Sequence, residues 1–344
     1  MNKTIKIFLF FFLILIILGI FCFISSFIIS RSSLNANSSV IFTIEKGDTL
    51  NTIGKKLVAD KIIKSDLYFK LLAHLNNSST KIKAGSYEIK PEQSIKSILE
   101  TFAKGSIVNR EREITIIPGW TLRDVNDYFV ETKVVQDDNF AEIASSKLGN
   151  WSFDFNKPSF LNDAPVSASL EGYLFPDTYR IFNDATVKEI IHKLLDNFDS
   201  QLTPKMREDA AKKGKSIYEI ITMASIIEKE VKTYDDMELV SGIFWNRIRD
   251  GIALGSDATL SYILDDDKSQ HSYDDLEINS PYNTYKYKGL PPGPICNPSL
   301  NAIKAAIYPK NSDYYYFLNR LDTGETIFSR TYNEHLKNKD KHLR

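Results

Sequence analysis

From Ile7 to Ile29 the chain runs IFLFFFLILIILGIFCFISSFII, apolar at nearly every position and free of charge. About 20 such residues cross a bilayer as a helix. A secretory signal has a shorter apolar core and a small-residue cleavage site, which this segment lacks. The pattern predicts a retained single-pass transmembrane anchor over 7–29. Lys3 and Lys6 precede it and only Arg31 closely follows. The positive-inside bias therefore puts residues 1–6 in the cytoplasm and the rest outside the membrane, in the periplasm or its equivalent. Residues 30–39, containing RSSLNANSS, are polar and form a short tether.

Beyond the tether the period changes. Val40, Phe42 and Ile44 alternate as in a half-buried strand, and Lys46-Gly47-Asp48 is a turn. Asp48 is the expected N-cap of a helix with Leu50, Ile53, Gly54 and Leu57 on one face. A second helix over Leu67–Leu75, a returning strand within Lys81–Pro91 and a third helix through Ile95, Ile98 and Leu99 complete a unit over 40–108. In the stretch IEKGDTLNTIGKKL this unit resembles a LysM-like module, with an extra helix that true LysM repeats lack. A second region, 109–340, opens with a strand through Ile114–Ile117, a Pro-Gly turn and a helix capped near Thr121. Trp151–Ala168 reads as a loop, Thr186–Arg249 as helices and Tyr314–Leu318 as a strand.

TMASIIEKEV, Thr222–Val231, sets two glutamates inside an apolar run. At about 100° per residue, Ile217, Ile220, Ile221, Ile227 and Val231 fall within about 60° of Ala224. Glu228 falls at about 40°, inside that arc, and Glu230 at about 120° on the other side. Glu228 is then the expected inward acid. Met223 and Ile226 lie off the stripe, which predicts burial on more than one side. Apolar surroundings raise a carboxyl pKa, and an acid still protonated near neutrality can protonate a leaving oxygen. A buried glutamate paired with Arg247 or Arg249 is the alternative, and periodicity does not choose between them.

Two loops have the composition of a sugar cleft, with amides and hydroxyls among aromatics on stiff backbone. LEGYLFPDTYRI contributes Glu171 and Asp177; SPYNTYKYKGLPPGPICNP contributes Asn283 and Tyr285. Asn246 and Arg247 are further binding candidates. In GSDATLSYIL, Ser256 or Asp257 can cap a short helix; both are also binding candidates, and Asp257 is a candidate partner for the acid. Charge is nearly balanced, 43 basic against 44 acidic side chains, which argues against a nucleic-acid partner. The two cysteines, Cys22 and Cys296, are not expected to meet. AKKGKS ends like a phosphate loop but has Asp209 where glycine is needed. The five histidines show no ligand spacing, so neither metal nor cofactor is expected.

LEGYLFPDTY, TMASIIEKE, SGIFWNRI, GSDATLSY, SPYNTYKYKGLPPGPICNP and NAIKAAIYP together resemble the endolytic murein transglycosylases, the MltG/YceG-like family. The resemblance implies an α+β fold with an N-terminal transmembrane helix, a small LysM-like subdomain and a larger mixed α/β catalytic domain. It implies a lyase that cuts peptidoglycan glycan strands between N-acetylmuramic acid and N-acetylglucosamine, leaving 1,6-anhydro ends and terminating nascent strands. It also implies peptidoglycan synthases as partners, and Glu228 as the catalytic residue. Gly255, Ala258 and Thr326 depart from the family pattern. A lysozyme-type muramidase using Asp257 or Asp177 as second carboxylate, and a non-catalytic membrane-anchored peptidoglycan-binding scaffold, are the alternatives.

Overall fold

The structure is a computed structural model and describes residues 12–17, 19, 39–91, 93–105, 111–135, 139–266, 268, 271–320 and 322–342. The expected anchor and tether lie largely outside these residues. Residues 12–17 and 19 are helical and mostly exposed, and among the described residues no helix is long and apolar enough to cross a membrane. Cys22 is likewise outside them; Cys296 is a free, buried thiol. The chain divides into two compact units, Met1–Arg110 and Glu111–Arg344.

In the first unit, β1 (Val40–Ile44) pairs antiparallel with β2 (Gly85–Ile89), setting Phe42 opposite Tyr87. Helices α1 (Leu50–Ala59) and α2 (Asp66–Leu75) join the strands, and α3 (Ile95–Lys104) follows. Strand alternation sends Phe42, Ile44, Tyr87 and Ile89 inward, where they meet Ile98, Leu99 and Phe102 of α3. The cap of α1 differs from expectation. Thr49 and Thr52 form a reciprocal capping box, while Asp48 accepts from Lys56 Nζ at 2.8 Å and from Glu45 N at 2.9 Å. Its carboxylate is occupied by the turn and the ion pair, so the next residue takes the cap.

In the second unit, β3 (Glu111–Thr115) pairs antiparallel with β4 (Thr178–Phe182). The strand starts earlier than expected and ends where Ile116 N donates to Asp177 O, at 2.9 Å. Between them lie α4 (Leu122–Glu131), held by a Thr121–Asp124 capping box, and α5 (Phe140–Ala144). Residues 151–168 are irregular, as their composition predicts, apart from a short 3-10 turn at Ser159–Leu161. Helices α6 (Val187–Gln201), α7 (Pro204–Lys212), α8 (Ile217–Glu230) and α9 (Tyr234–Arg249) come next. Then follow α10 (Asp257–Leu264), α11 (Tyr273–Leu276), α12 (Leu300–Ile307), the antiparallel pair β5 (Tyr316–Asn319) and β6 (Thr326–Ser329), and α13 (Tyr332–His342). The architecture is α+β, helices predominating over two-stranded sheets.

α8 is the axis of this unit. Every residue from Ile220 to Ile227 is buried, whereas a surface helix buries one stripe. α9 and α12 flank it, and α9 makes a close approach elsewhere. Lys310 N donates to Glu238 O at 3.0 Å, and a Cβ at Gly242 would overlap the Lys310 carbonyl oxygen. Both groups in that contact are backbone and cannot swing away. Gly242→Ala is therefore expected to destabilise the second unit by about 1–3 kcal/mol, the cost of overpacking. Denaturant unfolding of the variant beside wild type measures it, and an unchanged midpoint would contradict the contact.

Candidate functional site

The segment 292–299 lies along α8 in the same direction. Tyr218 Oη donates to Pro292 O at 2.6 Å, and Ser225 Oγ accepts from Ile295 N at 3.0 Å. Cys296 Sγ donates to Ser225 O at 3.2 Å, and Ser299 bonds Glu228 one turn further on. Gly172 (φ +87°) permits this closeness, since a Cβ there would sit 2.5 Å from Pro294 Cβ. Asn297 is fully buried and ties three segments: its Oδ1 accepts from Leu174 N, its Nδ2 donates to Trp120 O, and its carbonyl accepts from Gly119 N. This packing runs along one side of α8 as far as Glu228.

Both glutamates are half-buried, so their depth does not distinguish them; their partners do. Glu228 Oε2 accepts from Ser299 N at 2.9 Å and from Ser299 Oγ at 2.5 Å. Ser299 is the N-cap of α12 and itself accepts from Ala302 N. Glu228 thus secures the start of a helix, where a carboxylate also meets the positive end of the helix dipole.

Glu230 faces a different wall. Its Oε1 accepts from Ser256 Oγ, and its main-chain carbonyl accepts from Asn319 Nδ2 at 2.7 Å. The residue keeps some exposure, yet its carboxyl is enclosed. Burial pushes its pKa up to about 7, with the Ser256 hydrogen bond and Arg247 opposing the shift and the charge of Asp257 adding to it. Ser256 stands at the N-cap position of α10 but makes no side-chain capping bond. Its hydroxyl goes to Glu230 instead. Thr284 Oγ1 accepts from Ser256 N at 3.0 Å and lies 2.9 Å from Thr259 Oγ1, which fixes the serine from behind.

Arg247, Asp257 and Tyr285 gather around this acid. Arg247 Nε donates to Tyr315 O at 2.8 Å, an Nη donates to Leu254 O, and its guanidinium lies over the Tyr316 ring at 5.1 Å. The expected alternative of a glutamate paired with Arg247 or Arg249 is not what forms: Arg247 is spent on carbonyls and Arg249 on Asp250. Tyr285, partly exposed, donates to Asp257 Oδ1 at 2.7 Å. Thr284 comes from the expected cleft loop, and Asn319 joins the site without having been expected there. For Asn319, in a short strand remote in sequence, no sequence signal exists.

Other expected binding residues go elsewhere. Asn283 is fully buried; it donates to Leu276 O and Ile278 O and accepts from Tyr285 N, so it shapes a turn and has no free edge for a sugar. Asp177 accepts from Thr178 N at 2.7 Å and Asn197 Nδ2 at 3.0 Å. Asn246 donates to Ser312 O and accepts from Arg249. Tyr173, Phe175 and Tyr179, read as cleft aromatics, are core residues with at most 6% exposure. Glu171, also buried, accepts from Leu122 N through both oxygens at 3.1 and 3.2 Å. Burial pushes its pKa up to about 8, against the opposing pull of the Leu122 hydrogen bond.

Comparison with known proteins agrees with the motif resemblance. Residues 42–341 match the model of the YceG-like family. An endolytic murein transglycosylase of Bacillus subtilis strain 168 is 31% identical, over 90% of this chain and 86% of that protein. One of Streptococcus pneumoniae strain D39 is 29% identical over 90% of this chain, which spans only 59% of that longer relative. The crystal structure of a putative YceG-like protein from Listeria monocytogenes aligns with a TM-score of 0.54 and 32% identity, covering 87% of this chain and 99% of that one.

Glu171 makes stability depend on pH. Its folded pKa of about 8 lies above the ordinary 4.5, so the folded state binds more protons than the unfolded state between those values. Stability from this group is complete below about pH 4.5 and declines as pH rises to about 8. Glu171→Gln retains an acceptor for Leu122 and is expected to flatten that decline, measured as unfolding midpoint against pH. A slope identical to wild type would show that this carboxyl is not desolvated.

Proposed function

The chain belongs to the YceG-like family, and from that premise we propose that it is an endolytic murein transglycosylase whose proton-transferring acid is Glu230. The carrying observation is the enclosed Glu230 carboxyl, held by a serine hydroxyl taken away from its own helix cap. Glu228, the residue expected from helical angle, is engaged at the start of α12. The relatives named endolytic murein transglycosylase support the substrate as peptidoglycan glycan strands.

A lytic transglycosylase differs from most glycosidases in needing one carboxyl group rather than two. Glu230, protonated near neutrality, gives its proton to the bridging oxygen as the bond to muramyl C1 breaks. Charge developing on the ring is met by the substrate's own N-acetyl oxygen. Glu230, now ionised, takes the proton of the 6-hydroxyl as that oxygen closes on C1. The product carries a 1,6-anhydro end, and no water is consumed. Ser256 keeps the carboxyl oriented through both steps, and its hydrogen bond limits how far burial raises the pKa.

Asp257 lies near enough for its charge to act on Glu230, which keeps a lysozyme-type hydrolysis as second reading. Mass spectrometry separates the two, since anhydro ends are lighter than reducing ends by one water. The apolar run 7–29 supports a single-pass anchor with the catalytic unit outside the cytoplasmic membrane. The β-α-α-β order of the first unit supports its LysM-like reading. Confinement beside the membrane fits termination of nascent strands near the synthases.

Glu230→Gln is expected to abolish formation of anhydro ends, by 100-fold or more on the order of a general acid's contribution, with the fold retained. Glu228→Gln is expected to keep most turnover; the reverse pattern would return the acid to Glu228. Undiminished cleavage in both variants would take the acid away from the end of α8 altogether. Activity should fall as pH rises through about 7, where Glu230 ionises. Ser256→Ala removes a bond that lowers that pKa, so the alkaline limb should move to higher pH. An unmoved limb would show that Glu230 is not the titrating acid.

A further inference from the structure

A cavity of about 660 Å³ opens beside Lys229, between the first turn of α4, the end of α5 and the outer face of α10. Its size is that of a ligand pocket. Glu171 and Tyr262 lie in its wall and Ser145 at its edge. Arg123 of α4 and Asp265, which ends α10, form an ion pair at the rim. Lys229 is exposed, its stem passes 3.6 Å from where a Gly119 Cβ would be, and no ion pair engages it among the described residues.

We propose that this cavity receives the peptide stem carried by the muramyl residue at the cleavage point. The inference rests on the murein reading above and adds to it a specificity site. Lys229 and Glu230 are adjacent, with Cα atoms about 3.8 Å apart. Ala258, which follows Asp257 beside Glu230, also lines the cavity, so a substituent that leaves the sugar at Glu230 on the Ala258 and Lys229 side reaches it. A neutral sugar is matched by amides and aromatic faces, whereas this rim presents opposed charges and an uncommitted ammonium. A peptide stem supplies what they take: carboxylates for Lys229 and amide groups for the wall. Since Glu171 stays protonated up to about pH 8, it offers the wall an O–H donor for an amide carbonyl.

The test uses the full chain on two substrates, uncross-linked glycan strands with intact stems and the same strands stripped of peptide by an amidase. The readout is the ratio of kcat/KM for release of anhydro ends, stem-bearing over bare. Wild type should favour stem-bearing strands. Lys229→Glu reverses the rim charge and Ser145→Trp narrows the entrance, and both sites are exposed, so folding is spared. Each should lower the ratio about tenfold, the scale of one charged hydrogen bond. A ratio unchanged in both variants overturns the proposal, whether the two rates fall together, as for a sugar subsite, or stay as they are. Wild type cleaving both substrates equally overturns it too. Failure of wild type to form anhydro ends from either substrate would instead remove the activity reading, and this inference with it.

Discussion

The removal of water from the carboxyl at the end of α8 is the constraint on which the site depends. A glutamate on a helix exposed along one side would be an ordinary anion at neutral pH. α8 is enclosed along its body, with Ile226 and Ile227 both fully buried, and in its last turn Lys229 is exposed while Glu230 turns toward Ser256 at the start of α10. The same enclosure makes Glu230 expensive to ionise, and Ser256 and Arg247 moderate that cost without cancelling it.

That enclosure is assembled from segments far apart in the chain. The 292–299 segment closes one side of α8 through Tyr218, Ser225 and Glu228. Asn297 then binds that segment to the turn at Gly119 and to Leu174. Glu228 also has a place in this framework, accepting from Ser299 at the start of α12.

Much of the framework was legible in the linear pattern. The alternation at Val40–Ile44, the capped helix at Thr121 and the irregular stretch 151–168 follow from local preference and need few distant partners. Cap positions shifted by a residue, as at Asp48, because a side chain can serve either its helix or an ion pair, and the difference is small. The aromatic stretch around Pro176 was undecided in the sequence for a different cause. A row of tyrosines and phenylalanines has one composition whether it lines a cleft or a core, and here Tyr173 and Phe175 lie in the core.

By itself the sequence determined the family, the α+β character and the short segment that holds the two glutamates, since motif order and apolar period are properties of the chain. Which partners each of the two glutamates meets was left to tertiary structure. Helical angle gives a direction, but a helix buried all round has apolar neighbours in every direction, and direction then carries no information. Ser299 beside one carboxyl and Ser256 beside the other made the choice, through contacts 71 and 26 residues distant in the chain. No local pattern encodes such contacts.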